Sequence, residues 1–301
     1  MHVFVTGASG FIGSAVIPEL IAAGHEVTSL TRSVAAAAAV EAAGARVHRG
    51  ALDDLDSLRD GAAASDGVIH LAFNHAFTDM AAAGQTDLRA VEALGAALEG
   101  SGRPLVLTTG VLGLAAGRPA TEQDQVPPGS PVALARPGAL AAPSLAARGV
   151  RSSVVRLATS VHDENKRAFV GGLVDIARTK GVSGYVGDGS SRWSAVHVLD
   201  AARLFRLALE QAPAGSVLHG IAEEGVPARE IAEAIGRHLD LPMASVPAEQ
   251  AGEHFGWLAM FFGADIPASS TLTRELLGWQ PNGPGLIDDL EKGQFFDGND
   301  A

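Results

Sequence analysis

The chain predicts a doubly wound α/β fold: a parallel sheet with helices on both faces, followed by a smaller C-terminal α/β capping lobe. Three observations predict it. Strand-like apolar runs alternate with helical patterns from Val3 to Leu107, and such alternation builds parallel sheets. Residues 5 to 13 read Val5-Thr6-Gly7-Ala8-Ser9-Gly10-Phe11-Ile12-Gly13, a TGxxGxxG run set between a short strand and a helix. The 301 residues, 47% apolar and 19% charged, suffice for one large core with a smaller lobe beside it.

Each element follows in order. Val3-Phe4-Val5 is the first strand, and the glycines after it give the Rossmann-type turn. Gly7 takes the tight turn, Gly10 lets backbone approach a pyrophosphate, and Gly13 lets the helix pack close to the sheet. Free N–H groups at the helix start face the anion. The helix from Phe11 to Ala23 carries Ile12, Val16, Leu20 and Ala23 at helical spacing, ends at Gly24, and should bend at Pro18. The second strand, Glu26 to Leu30, is followed by Thr31-Arg32-Ser33 where a NAD site would place an acid on the ribose 2′-OH. A guanidinium and hydroxyls suit a 2′-phosphate, so NADP is favoured over NAD, the other reading of Arg32 being a solvated loop charge.

An alanine-rich helix over Ala35 to Ala43 comes next, then the strand Arg46-Val47-His48 and a helix from Asp54. The strand Val68 to Leu71, a long helix ending near Glu99 and the strand Leu105 to Thr108 complete the first half. From Ala115 to Gly138 proline, glycine and glutamine mark a loop over the C-terminal edge of the sheet. A helix from Leu140 to Ala147 and a strand from Ser152 to Leu157 follow. The remainder reads as short helices mixed with loops. The expected division is a dinucleotide-binding domain over 1–160, with 194–220 returning to it, and a substrate-binding or capping lobe over 161–301.

Composition excludes several function classes. With no cysteine there are no disulfides or thiolate metal sites, and the histidines show no metal-ligand spacing. A formal charge of −12 argues against nucleic acid as a partner. No apolar run is long enough for a membrane span, no signal peptide is expected, and the expected location is cytoplasmic. A small-molecule substrate is the expected partner.

The glycine run, Gly50-Ala51-Leu52-Asp53-Asp54, Val68-Ile69-His70-Leu71-Ala72, Gly187-Asp188-Gly189, Val196-His197-Val198-Leu199-Asp200, Val226 to Ile231 and Leu277-Gly278-Trp279-Gln280-Pro281 together resemble the extended short-chain dehydrogenase/reductases, the NAD-dependent epimerase/dehydratase group. The resemblance implies cofactor contacts at Gly7, Ser9, Gly10, Phe11, Ile12 and Gly13, at Arg32 and Ser33, at Leu52 and Asp53, and at Leu71 and Ala72. His70 reads as a satisfied core residue.

That family's chemistry rests on a Tyr and a Lys four residues later. Here the only tyrosine is Tyr185, residue 189 is glycine, and the corresponding stretch reads Val132-Ala133-Leu134-Ala135-Arg136. The chain thus resembles an atypical subgroup whose members carry His-x-x-x-Arg at these positions, with only the arginine present. Arg136 can hold ribose hydroxyls or polarise a carbonyl but is a poor proton donor. Thr108 or Thr109 occupies the place of the family's catalytic hydroxyl, and a plain strand end is the other reading. His162 either overhangs the cleft, where it or water would relay the proton, or is a surface loop residue. Arg192 and Trp193 match a substrate-contacting region, His197 is read as structural, and the aromatic stretch from Phe255 to Phe262 suits core, a pocket wall or a homodimer contact.

Three functions are compatible with these residues. The first is an NADP-dependent oxidoreductase acting on a small carbonyl or alcohol. The second is a non-catalytic NADP-binding redox sensor, and the third a nucleotide-sugar epimerase or dehydratase. The retained Arg136 and polar substrate-side groups favour the first.

Overall fold

Val3 and Val5 of β1 (His2–Thr6) enter one core layer and Phe4 the other, so the strand's period of two defines the two faces of the main sheet. The structure, a computed structural model, describes residues 1–74, 79–164, 168–292 and 294–296. After β1 come α1 (Phe11–Ala22), β2 (Glu26–Thr31), α2 (Val34–Ala42), β3 (Arg46–Arg49), α3 (Leu55–Ala63), β4 (Gly67–His70), α4 (Met80–Leu98), β5 (Pro104–Gly110), α5 (Pro131–Ala135), α6 (Ala142–Ala147) and β6 (Arg151–Leu157). Then follow β7 (Ser160–His162), α7 (Ala168–Lys180), β8 (Ser183–Val186), β9 (Arg192–His197), α8 (Val198–Gln211), β10 (Ser216–Gly220), β11 (Glu223–Pro227), α9 (Ala228–Leu239), β12 (Met243–Val246), α10 (Ala251–Phe255), α11 (Ala259–Phe262), α12 (Thr271–Leu277) and α13 (Leu286–Glu291).

Seven strands lie in the order β3-β2-β1-β4-β5-β6-β10, all parallel. The order reverses between β1 and β4, which opens a crevice at the C-terminal ends of those two strands. Val16, Leu20, Phe205 and Leu209 from α1 and α8 fill one face of the sheet, and Leu58, Leu94, Leu98 and Leu145 fill the other. α1 runs through the exposed Pro18 as one continuous helix. The expected helix from Leu140 divides into a 3-10 turn, Gly138–Ala141, and α6, whose first turn holds Pro143.

The second half is more regular than its sequence suggested. It contains a three-stranded sheet, β11-β9-β7, and a two-stranded one, β12-β8. These strands are short and rich in Ser, Gly and Ala, so pairing rather than propensity selects them. Trp193, Phe255, Phe262, Ile231 and Leu290 form the lobe's core. The C-terminal segment is latched to α8: Asp200 accepts from the amides of Asn282 (3.1 Å) and Gly283 (2.7 Å), and its carbonyl accepts the Trp279 indole N–H (3.0 Å).

The loop over the sheet edge is also fastened. Arg118 forks onto Asp124 (2.8 and 2.5 Å), and Arg156 of β6 donates to the Asp124 carbonyl (2.8 Å). Glu122 accepts from both the amide and the hydroxyl of Thr273 in α12 (2.8 and 2.7 Å). His219, fully buried on β10, faces the Ser269 carbonyl through Nδ1 (2.8 Å).

Burial pushes the His219 pKa down, the Ser269 carbonyl opposing it. The ring is therefore neutral when folded, whereas an unfolded histidine titrates near about 6.5. Below that pH the unfolded chain takes up a proton that the folded chain resists. Stability present above pH 6.5 is thus expected to fall with pH, by up to about 1.4 kcal/mol per pH unit, until the folded pKa is reached. Burial lowers His197 and His254 in the same direction. In denaturant titrations between pH 8 and 5, His219→Gln should weaken the protein at neutral pH and flatten the dependence. A wild-type stability flat across that range would contradict the assignment.

Candidate functional site: a dinucleotide crevice with an altered rim

The turn after β1 is tight for a steric reason. Gly7 has φ +73°, and a Cβ there would lie 2.6 Å from the Ala72 amide nitrogen. Gly13 meets the same limit, since its Cβ would fall 2.3 Å from the Gly7 carbonyl oxygen and 2.5 Å from the Ala8 Cα. Gly10 differs. It has an ordinary φ of −78°, and its Cβ would meet only the Gly7 oxygen, at 3.2 Å. Its bareness leaves open the space ahead of α1, where it stands as N-cap without a capping side chain. The cradle fits a pyrophosphate.

At the other end of the crevice the chain leaves β2 through the buried Thr31, with Arg32 and Ser33 exposed. The Ser33 hydroxyl accepts the Ala36 amide as N-cap of α2 (3.1 Å) and keeps its own proton to donate. Arg49, opposite Thr31 in the β2–β3 register, donates from Nη1 to the Ser33 carbonyl (3.1 Å). Two guanidinium groups therefore flank this turn. Leu52 is half-buried and Asp53 exposed in the loop before α3, where Asp54 caps the helix by accepting the Ser57 amide (3.2 Å).

The wall on the β4 side is held by a buried polar chain. The Thr6 hydroxyl accepts the Ala72 amide (3.2 Å) and meets His70 Nδ1 (2.8 Å), while His70 Nε2 meets Asp87 on α4 (3.2 Å). This pattern assigns the His70 proton to Nε2, with the Thr6 hydroxyl donating to Nδ1. His70 is thus a core residue with both ring nitrogens engaged. Leu71 donates its amide to the Thr6 carbonyl (3.1 Å).

Thr108 and Thr109 separate cleanly. The Thr108 hydroxyl donates to the His70 carbonyl (2.9 Å). Thr109, next on β5, turns to the opposite face, and its half-buried hydroxyl has no partner among the described residues. α5 packs on α4 beside the chain that leaves β5. Val132 lies against Gly113 after β5, where a Cβ would come 3.1 Å from its Cγ2. Arg136 stands with its guanidinium 3.8 Å from the centroid of the Phe73 ring, after β4. Arg136 lies just past the end of α5 rather than within it, but its amide still bonds the Val132 carbonyl (3.1 Å), which preserves the one-turn spacing. Burial lowers the Arg136 pKa and the Asp87 charge opposes that.

The remaining expected site residues sit in the lobe. His162 is 2% exposed and pairs through Nδ1 with Asp289 of α13 (2.8 Å), because β7 pairs with β9 inside the lobe. It therefore does not overhang an open cleft. Trp193 is 1% exposed and donates its indole N–H to the Phe261 carbonyl (2.8 Å), which makes it a core residue rather than a surface for substrate. Arg192 lines an open cavity of about 490 Å³ with Asp188, Ser190 and Ser191. Its fork is taken by Asp265 (2.9 and 2.8 Å), so its charge is neutralised in place. Tyr185 is buried, and its hydroxyl accepts from Arg229 (2.9 Å).

Arg49, Phe73 and Asp87 escaped the sequence reading. Asp87 left a signal, an acid at a buried position of an otherwise apolar helix face. Arg49 and Phe73 left none, since only the register of β3 and the path after β4 bring them to the crevice. Among the described residues no group of three or more His, Asp or Glu is placed to hold a metal ion, and no helix is long and apolar enough to cross a membrane.

The sheet order and the glycine turn define a Rossmann-type nucleotide-binding protein. Over residues 3–219 the chain matches the NAD dependent epimerase/dehydratase family, and it belongs to that family. An uncharacterised protein of Schizosaccharomyces pombe is 46% identical over 297 residues, 98% of this chain and 100% of the relative. The 4-hydroxy-2-methyl-3-oxo-4-farnesyl-3,4-dihydroquinoline-1-oxide ketoreductase of Stigmatella aurantiaca is 29% identical over 287 residues, 89% of this chain and 84% of the relative. Among solved structures, a dTDP-glucose 4,6-dehydratase from Streptomyces venezuelae with NAD and TYD bound has a TM-score of 0.78 at 21% identity, covering 99% of this chain and 98% of that one. That likeness shows the shared fold.

The three glycines separate packing from binding. Gly7→Ala should destabilise the protein by about 1–3 kcal/mol through its positive φ and its contact with Ala72. Gly10→Ala should change stability by less than about 1 kcal/mol yet weaken binding of the nicotinamide dinucleotide by about tenfold or more. Thermal melts and calorimetric titration check both. Unchanged affinity for the dinucleotide in Gly10→Ala would reject the cradle.

Proposed function

We propose that the protein is an NADP-dependent oxidoreductase that interconverts a small carbonyl compound and its alcohol. The observation that carries this reading is the rim of the crevice. Tyr185 is buried in the lobe, yet a permanent cation, Arg136, is kept half-buried after α5 with the Phe73 ring, just past β4, beneath it. Desolvating a charge costs free energy, and Arg136 together with the unengaged Thr109 hydroxyl retains polar groups beyond those a pyrophosphate needs, which favours an enzyme over a cofactor sensor. The ketoreductase relative at 29% identity supports carbonyl chemistry.

Bound NADPH would supply the hydride. Gly10 and the start of α1 would hold its pyrophosphate, Arg32 and Arg49 its 2′-phosphate, and Arg136 the nicotinamide ribose. Thr109, whose hydroxyl is unengaged, would hold the substrate oxygen, whereas Thr108 supports the β4 end through His70. The fixed positive charge of Arg136 favours negative charge developing on that oxygen. An arginine does not give up its proton at neutral pH, so solvent water would protonate the product.

NADPH should bind more tightly than NADH. Arg32→Ala should remove most of the preference, about 10- to 100-fold for a charge-assisted contact. Equal affinities in the unaltered protein, measured by titration calorimetry, would sink the assignment. A panel of small ketones assayed by NADPH oxidation tests the reaction itself. With any ketone that turns over, Tyr185→Phe should stay within a few fold of wild type. A loss of about 100-fold or more, the scale of general-acid catalysis, would make Tyr185 the acid instead.

A further inference from the structure

Arg136 is held in place by its neighbours in the chain, and those are clamped onto one face of α4. Gly84, Asp87 and Val91 lie three and seven residues apart and so share that face. A Cβ at Gly84 would stand 2.8 Å from the carbonyl oxygens of both Leu134 and Ala135 and 3.0 Å from the Pro137 Cδ. A Cβ at Gly138 would stand 2.4 Å from Asp87 Oδ2 and 3.1 Å from a Val91 methyl. The segment is thus pressed against the helix on both sides of Arg136. At Gly84 the obstruction is backbone, which cannot rotate aside.

A glycine inside a helix is a conformational liability relative to alanine. Its presence in the 19-residue α4 is explained by this close approach. Asp87, beneath the same segment, is buried, meets His70 through Oδ1 (3.2 Å), and places Oδ2 where a side chain at Gly138 would have to stand.

We propose that Gly84 and Asp87 are positioning residues that seat Arg136 at the rim of the cofactor crevice. Gly84 sets how closely the segment from Leu134 to Pro137 approaches α4, and Asp87 supplies the buried counter-charge beneath it. The inference rests on the role given to Arg136 above. Asp87 also ties this seat to the wall on the β4 side, because its contact with His70 runs on through Thr6 to the Ala72 amide.

The test uses NADPH affinity by calorimetry and the Arg136 side-chain Nε–H resonance of the unliganded protein, identified by its loss in Arg136→Ala. Arg136→Ala should weaken NADPH binding by about 10- to 100-fold. Gly84→Ala should weaken it by about tenfold or more and move the Arg136 resonance off its ring-shifted position above Phe73. In the Arg136→Ala background the same change should add less than about twofold. Asp87→Asn, which keeps an acceptor for His70 but removes the charge, should weaken binding in the same coupled way. It decides the matter if Gly84→Ala does not fold. Losses that add fully in both backgrounds, or an unmoved resonance with unchanged affinity, would overturn the inference. An Arg136→Ala variant with wild-type affinity would instead remove the role proposed for Arg136.

Discussion

The contact between Gly7 and the backbone at Leu71 and Ala72 is the constraint on which the rest of the crevice depends. β1 and β4 are parallel neighbours that end side by side, with Thr6 opposite His70. Beyond that point the two chains must part without losing contact. A left-handed residue with no Cβ achieves this on the β1 side, and the Thr6 hydroxyl achieves it on the β4 side by taking the Ala72 amide. The hydroxyl is itself oriented by His70, and His70 by Asp87. The aim of the turn and the position of α4 are therefore one problem. Any shift of α4 moves the wall of the crevice.

Charge distribution sets a second condition. A chain of net charge −12 repels an anionic cofactor at long range. Screening limits that repulsion to about 8–10 Å at ordinary salt, so local donors decide binding. Arg32 and Arg49 are exposed, and hydration keeps such charges inexpensive. Arg136 is different because it is half-buried before any ligand is present. The Phe73 ring face and the nearby Asp87 offset part of its desolvation. One end of the crevice is therefore free to adapt, and the other is built in advance.

Much of the main sheet was legible because its signals are local. Val3-Phe4-Val5 alternates between two buried faces, Gly7 needs a positive φ, and Ser33 and Asp54 cap the helices that follow them. The lobe was less legible. Its strands carry residues such as Ser183, Gly184 and Ala244, whose placement depends on partners distant in sequence. The same reason explains the site. The spacing of Arg136 from Val132 survives only as a backbone bond past the end of α5, and the burial of His162 and Trp193 is decided by α13 and by the Phe261 carbonyl. Nothing near position 49 in the sequence points to position 33. Only the parallel register of β2 and β3 does.

The altered pair and the glycine of α4 explain one another. A lysine beside a tyrosine acts through a mobile proton. An arginine keeps its proton at neutral pH, so under the role proposed for it Arg136 contributes direction and fixed charge. A planar fork is useful only if its plane is held, since its advantage over an ammonium lies in paired, parallel donors. The guanidinium carbon lies 3.8 Å from the centroid of the Phe73 ring. Gly84 and Gly138 let the chain on either side approach α4 closely enough to prevent rocking. On this reading, the loss of proton chemistry at position 132 made rigidity at position 136 necessary, and the helix that supplies it is the one that also orients the wall of the crevice through Asp87.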